Sequence, residues 1–116
     1  MPPHNWSEEE AKMALIAQAL GHPMRIQILR ALGEEGAFVS DLVEALNRPQ
    51  PHVSGHLAVL RESGLVVTER KGTYIRYRLA PRVSEMLKIL AEIAAVAAPS
   101  PPNGKRRWRG GWKRRR

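Results

Sequence analysis

The sequence contains no cysteine. Disulfides, thiolate metal sites and thiol redox sensing are therefore excluded. No apolar run is long enough to span a bilayer and no signal-peptide pattern is present, so the expectation is a cytoplasmic protein with no membrane partner. No nucleophile–base pair, phosphate-cradling glycine loop or paired-acid motif appears, and no enzyme is expected. Acidic residues are absent from position 99 onward, and that absence decides the meaning of the charge. Residues 1–98 carry 11 Lys or Arg against 11 Asp or Glu, a balance of 11 − 11 = 0, so the whole formal charge of +8 belongs to the tail. Overall basicity is thus weak evidence that the body of the protein binds nucleic acid.

What is present divides into three segments. A chain of 116 residues suits one domain with a modest core. Residues 1–6 read as a flexible N-terminus and 7–98 as the domain. Residues 99–116 open with a proline-rich linker and continue as KRRWRGGWKRRR, which has no period and no core-forming content. Lys105, Arg106, Arg107, Arg109, Lys113 and Arg114, interleaved with Trp108 and Trp112, suit phosphate contact with base stacking. A solubilising tail is the plainer alternative.

The domain is organised around QPHVSGHLAVLRESG, residues 50–64. Val53, Leu57 and Leu60 recur at the spacing of one buried helical face. Gln50, His52, Ser54, Gly55, Ala58 and Arg61 occupy the other, and such short or polar residues let a helix sit close to base edges and phosphates. An ordinary amphipathic helix fits the same pattern. Upstream, Ser7 and Glu10 form a capping box for a first helix with the apolar stripe Met13, Ile16, Ala17 and Leu20, widened by Leu15 and Ala19. Pro23 opens a second helix in which Ile26, Leu29 and Leu32 face inward, with Met24 and Ile28 alongside. Ala37-Phe38-Val39 is a short run able to pair with a later hairpin. Ser40 suits the N-cap of a third helix, Asp41 to Leu46, which a tight turn joins to the central helix.

A short helix, a turn and a second helix make a helix-turn-helix, in which the second helix reads the groove. The strands expected at 65–69 and 74–79 flank an Arg70-Lys71-Gly72-Thr73 turn. Tyr74, Arg76 and Arg78 share one face of the second strand. The turn is a solvated loop or, given its position, a phosphate contact. A last helix from Pro81 to about Ala97 is apolar over much of its circumference, through Met86, Leu87, Leu90 and Ile93 among others. Part of it is core; the remainder implies burial against another subunit. The expected fold is mainly α with a small β-hairpin, a winged helix-turn-helix in the order α-α-α-α-β-β-α, dimeric through its first and last helices.

ALGHPMRIQILRAL (19–32), VSDLVEAL (39–46) and QPHVSGHLAVLRESGLVVTERKGTYIRYRLAP (50–81) resemble the ArsR/SmtB family of winged-helix repressors. The HPMR segment, Gln-Pro-x-Val-Ser-x-His-Leu and the Lys-Gly-Thr-Tyr-x-x-Tyr wing are the most specific pieces. The resemblance implies a homodimer whose recognition helices read an inverted-repeat operator in double-stranded DNA. By position it assigns Gln50, His52, Ser54 and His56 to the DNA, with Arg70, Lys71, Gly72 and Thr73 in the wing and Ser40 near phosphate. Arg61, Gly55 and Arg76 complete the candidate surface. Gly55 departs from the polar residue many members carry there, and a module that has lost operator recognition would show such a change.

The family's usual metal inducers do not fit this sequence. Cysteine sites are impossible, and the last helix offers Glu85 and Glu92 but no histidine. His52 and His56 have ligand spacing, yet they sit where the DNA or the core is expected; His4 and His22 are isolated. The expectation is a metal-independent, cofactor-free transcriptional repressor whose inducer is unassigned. The competing class is an architectural, weakly specific nucleic-acid binder driven by the tail, whose eight charges could give a salt slope up to about −7.

Overall fold

The structure, a computed structural model, describes residues 5–96. The basic tail, Lys105 to Arg114 included, and residues 1–4 of the N-terminal segment lie outside the described residues. The elements run α1 (Glu8–Ala19), α2 (Pro23–Leu32), β1 (Ala37–Phe38), α3 (Val39–Leu46), α4 (Gln50–Glu62), β2 (Val66–Lys71), β3 (Tyr74–Leu79) and α5 (Val83–Val96). The expected order is therefore found, with one short strand added before α3. Among the described residues no helix is long and apolar enough to cross a membrane.

The capping box that starts α1 is formed at both ends. Glu10 N donates to Ser7 Oγ at 3.0 Å, and Ser7 N donates to Glu10 Oε1 at 2.9 Å. The start of α3 differs from the sequence expectation. Phe38, not Ser40, is the N-cap residue, and Asp41 Oδ2 accepts from Phe38 N at 2.9 Å. Ser40 lies exposed in the first turn. Pairing of Ala37 and Phe38 with Tyr77 and Arg76 carries the chain straight from strand into helix, which moves the boundary two residues back.

The core lies between α2, α3, α4 and the sheet. Ile28, Leu29, Leu32, Leu42, Val53, Leu57, Leu60 and Val66 are its fully buried large side chains. Ile28 is thus a central residue of α2, whereas Ile26, expected to face inward, is only half-buried. Leu65 N donates to Leu60 O and Gly64 N to Arg61 O, the paired bonds of a Schellman motif, and Gly64 takes the left-handed φ of 86° that this motif needs. That stop turns the chain directly from α4 into β2.

The sheet has three antiparallel strands in the order β1-β3-β2. The hairpin turn is shorter than expected: Arg70 and Lys71 belong to β2, and Gly72-Thr73 alone make the turn. Gly72 has φ 64° and Thr73 does not, the sign pattern of a type II′ turn, which needs glycine first. The last helix begins at Val83 rather than Pro81, because Arg82 sits at φ 72° and breaks the helical run.

α1 and α5 stand against this body on few side chains. Ala19 and Val83 are buried, and Ile16, Leu20, Met86 and Leu87 pack partly on the core. Met13 (62%), Leu15 (55%), Ile93 (54%) and Val96 (86%) remain largely exposed, and Leu90 stays in contact with solvent as well. The breadth of these helices seen in the sequence is therefore apolar surface that one chain leaves uncovered.

Candidate nucleic-acid interface

The surface is built from α4 outward. Val53, Leu57 and Leu60 fasten the helix to the core, as their spacing required. The opposite ridge then has no choice but to face out: Gln50, His52, Gly55, Ala58 and Arg61 are exposed and Ser54 is half-exposed. α4 begins without a side-chain cap, after Pro49, while Gln50 Nε2 donates to Ser54 Oγ at 3.4 Å along the ridge. The turn from α3 is closed by Asn47 in the left-handed conformation, φ 54°. Asparagine is among the few side-chain-bearing residues that adopt it readily.

Gly55 is informative because the fold does not ask for it. Its φ is not left-handed, and a Cβ built there would meet nothing within 4 Å. Gly36 is the contrast: its φ is 79°, and a Cβ would lie 2.6 Å from Tyr77 O. Packing dictates the glycine at 36 and leaves the one at 55 to the outer surface.

The wing adds two exposed cations, Arg70 and Lys71. Arg70, Lys71, Gly72 and Thr73 are all exposed, with Arg70 Nη1 donating to Gly72 O at 3.3 Å and Lys71 Nζ lying 3.7 Å from Glu69 Oε2. Such exposed pairs are worth little and are free to exchange for phosphate. Arg76 is placed differently. It is half-buried, its Nη1 donates to Glu35 O at 2.9 Å, and its guanidinium lies 4.9 Å above the Phe38 ring, which also meets Tyr74 at 5.7 Å. It fastens the root of the wing to β1.

His56 is also off the ridge. It is half-buried on the flank of α4 that meets α2, where Arg25 Nε donates to its Nδ1 at 3.1 Å and the His22 ring is 4.5 Å away. His22, isolated in the sequence, therefore has a close partner and a task, since its Nδ1 accepts from Met24 N at 3.1 Å and caps α2. Both imidazoles titrate below the ordinary histidine range. Burial is the main cause in each; Arg25 adds to it for His22, and His22, Arg25 and His52 add to it for His56. Arg25 and His22 were not legible as site residues. The histidine before a helix-opening proline was the available signal, since that position suits a capping side chain. Among the described residues no three His, Cys, Asp or Glu side chains are grouped as a metal site would need.

Comparison with known proteins places this geometry in a family context. Residues 22–68 match the model described as bacterial regulatory protein, arsR family. The chain is 36% identical over 88 residues to an HTH-type transcriptional regulator of Methanocaldococcus jannaschii, covering 74% of this chain and 99% of that protein. It is 46% identical over 65 residues to the transcriptional repressor SmtB of Mycobacterium tuberculosis (56% of this chain, 48% of the relative). To the arsenical resistance operon repressor of Escherichia coli it is 43% identical over 65 residues (55% and 56%), so the match spans about half the length of these two repressors. Among solved structures, a homodimeric winged helix-turn-helix DNA-binding domain of Mycobacterium bovis superposes with a TM-score of 0.71 at 25% identity, covering 84% of this chain and 94% of that one. HlyU of Vibrio cholerae superposes at 0.68 with 30% identity, covering 78% and 99%.

Proposed function

This chain belongs to the arsR family of bacterial regulatory proteins, winged helix-turn-helix regulators of transcription, and from that premise we propose that it is a homodimeric, metal-independent repressor of an inverted-repeat operator. The observation that carries the reading is the ridge of α4, polar and glycine-bearing, held outward by three buried residues on the opposite face. Gln50, His52, Ser54 and Arg61 supply donors and acceptors for base edges and flanking phosphates, and Gly55 admits close approach. Arg70, Lys71, Gly72 and Thr73 lie over the adjacent backbone, with Ser40 at a neighbouring phosphate. His56 and Arg76, already hydrogen-bonded and half-buried, support this surface from behind.

Two copies bring two such ridges to successive major grooves, about 34 Å apart along the duplex. The homodimeric neighbour from Mycobacterium bovis supports that assembly, and so do the uncovered side chains of α1 and α5. Met13, Ile16 and Leu20 of one subunit meet Met86, Leu87, Leu90 and Ile93 of the other. Metal independence rests on the missing cysteines and on an α5 without histidine. An inducer, where there is one, acts by favouring a dimer geometry whose ridges no longer fit successive grooves. The protein works in the cytoplasm, where the promoter is.

The test is fluorescence anisotropy on the duplex just upstream of the protein's own gene, against a scrambled duplex, for the full chain and for residues 1–98 across a salt series. The repressor reading requires that the shorter chain keep a strong preference for the promoter and that added zinc not release it. Loss of both preference and binding with the tail would replace it by a tail-driven, weakly specific binder.

A further inference from the structure

The HPMR segment is the most specific part of the sequence that DNA contact leaves without a role, and the structure gives its arginine an unusual position. Arg25, on α2, bridges two other helices. Its Nη1 donates to Ala19 O at 3.2 Å and, at the limit of a hydrogen bond, to Gln18 O at 3.5 Å. These are last-turn carbonyls of α1, past the end of its i→i−4 ladder; Gln18 O also accepts from Gly21 N at 3.1 Å, so Ala19 O is the carbonyl that relies on Arg25, and α1 has no basic residue of its own in that turn. Its Nε donates to His56 Nδ1 on α4. One side chain thus ties the end of α1 to the flank of α4.

The chemistry fixes the proton on His56. Arginine keeps all its protons, so the nitrogen facing it must be bare. His56 is therefore neutral with its hydrogen on Nε2, and His22 is neutral for the parallel reason that its Nδ1 accepts from Met24 N. A proton added to His56 Nδ1 would set two N–H groups and two cations against each other. His22 and Arg25 of α2 and His52 of α4 are the titratable and charged groups that face His56. Glu62 of α4 lines the cleft of about 490 Å³ that Arg25 and His22 share with α1, which itself presents carbonyls to Arg25.

We propose that Arg25 is a positioning residue for operator recognition: acting through neutral His56, it locks α4 to the end of α1, so that the dimer-forming helix and the DNA-reading helix move together, and protonation of His56 opens the lock. The inference rests on the reading of α4 as the operator helix. The direction of the pH effect follows from the burial of His56. Its pKa is lowered in the locked state. The lock is therefore complete above the ordinary histidine value of about 6.5 and is lost as pH falls through the lowered one.

The experiment uses the full chain, with Arg25→Lys and His56→Asn, and anisotropy on promoter and scrambled duplexes at fixed salt from about pH 7.5 down through the protonation of His56, which NMR of the same chain follows. The ratio of the two affinities cancels the general gain in DNA attraction that acid brings. Wild type should lose about tenfold of its preference over this range, the worth of one charged hydrogen bond. Arg25→Lys should lack that tenfold throughout, because lysine cannot bridge both partners from the same position. His56→Asn, which offers a neutral acceptor that cannot be protonated, should keep the preference at every pH. A role in stability alone would lower the melting temperature of Arg25→Lys and leave its pH profile parallel to wild type. Parallel profiles for wild type and His56→Asn would overturn the proposal. Nitrogen-15 NMR of the DNA-free chain decides the lock independently: the Arg25 Nε–H signal must disappear as His56 titrates from its Nε2–H form. A chain that prefers no promoter at any pH, with those two signals still coupled, overturns the operator reading and leaves the lock standing. Uncoupled signals overturn the lock whatever the DNA result.

Discussion

Gly55→Ala separates what the fold needs from what the DNA needs. A glycine inside a helix costs about 1 kcal/mol relative to alanine, because it loses more backbone freedom on folding. Position 55 lies in the sixth place of a 13-residue helix, so the interior penalty applies in full. Nothing in the protein offsets it: the backbone is not left-handed there and an added methyl would meet no atom within 4 Å. The substitution should therefore stabilise the chain by about 0.5–1 kcal/mol, raising the melting temperature by up to about 4–8 °C for a domain of this size. If the ridge packs closely on DNA, the same methyl must be accommodated at a dense interface, where one extra carbon costs about 1–3 kcal/mol. The affinity for the promoter duplex should then fall by roughly 5- to 150-fold. Thermal unfolding by circular dichroism and anisotropy on the promoter read the two effects separately. A more stable variant with unchanged promoter affinity would refute close approach of DNA at Gly55. A variant no more stable than wild type would refute the claim that the fold has no use for the glycine.

Ile93→Glu places a charge on the uncovered face of α5 and should shift the chain toward monomer in sedimentation equilibrium, with helicity retained and promoter binding weakened. Gly36→Ala should destabilise by about 2 kcal/mol or more in urea titration, since it combines a left-handed φ with a Cβ 2.6 Å from Tyr77 O. Lys71→Ala at the wing should weaken promoter and scrambled duplexes alike and reduce the salt slope by about 1, as expected for a phosphate contact; an effect confined to the promoter would place Lys71 on a base instead.

The parts of this protein that were legible in the sequence are those governed by local rules. Val53, Leu57 and Leu60 are buried because their spacing leaves them no other common face, and that one fact also fixes which residues of α4 point outward. Ser7 and Glu10 cap α1 through bonds within a single turn. Gly64 stops α4 through bonds to the turn just before it. Where sequence expectation shifted, pairing between strands was responsible, long-range in one case and local in the other. α3 begins early because β1 pairs with β3, some forty residues away by the register Phe38–Arg76. The hairpin runs to Lys71 because the register pairs it with Tyr74.

The candidate site divides in the same way. The exposed ridge and wing follow from periodicity and turn chemistry, so Gln50, His52, Arg70 and Lys71 were accessible to reasoning from spacing alone. His56 and Arg76 carry the same polar chemistry and fall in the same stretches, yet tertiary partners draw them inward: Arg25, 31 residues earlier, and Glu35, 41 residues earlier. Nothing in the local pattern distinguishes a histidine that faces solvent from one that receives an arginine across a helix pair. That distinction matters to mechanism. On the proposed reading, a residue on the ridge alters which sequence is read, whereas a residue behind it alters whether the ridge is held in place to read. The two kinds of substitution should therefore separate experimentally, the first by changing which duplex is preferred and the second by changing how that preference responds to pH and to the dimer.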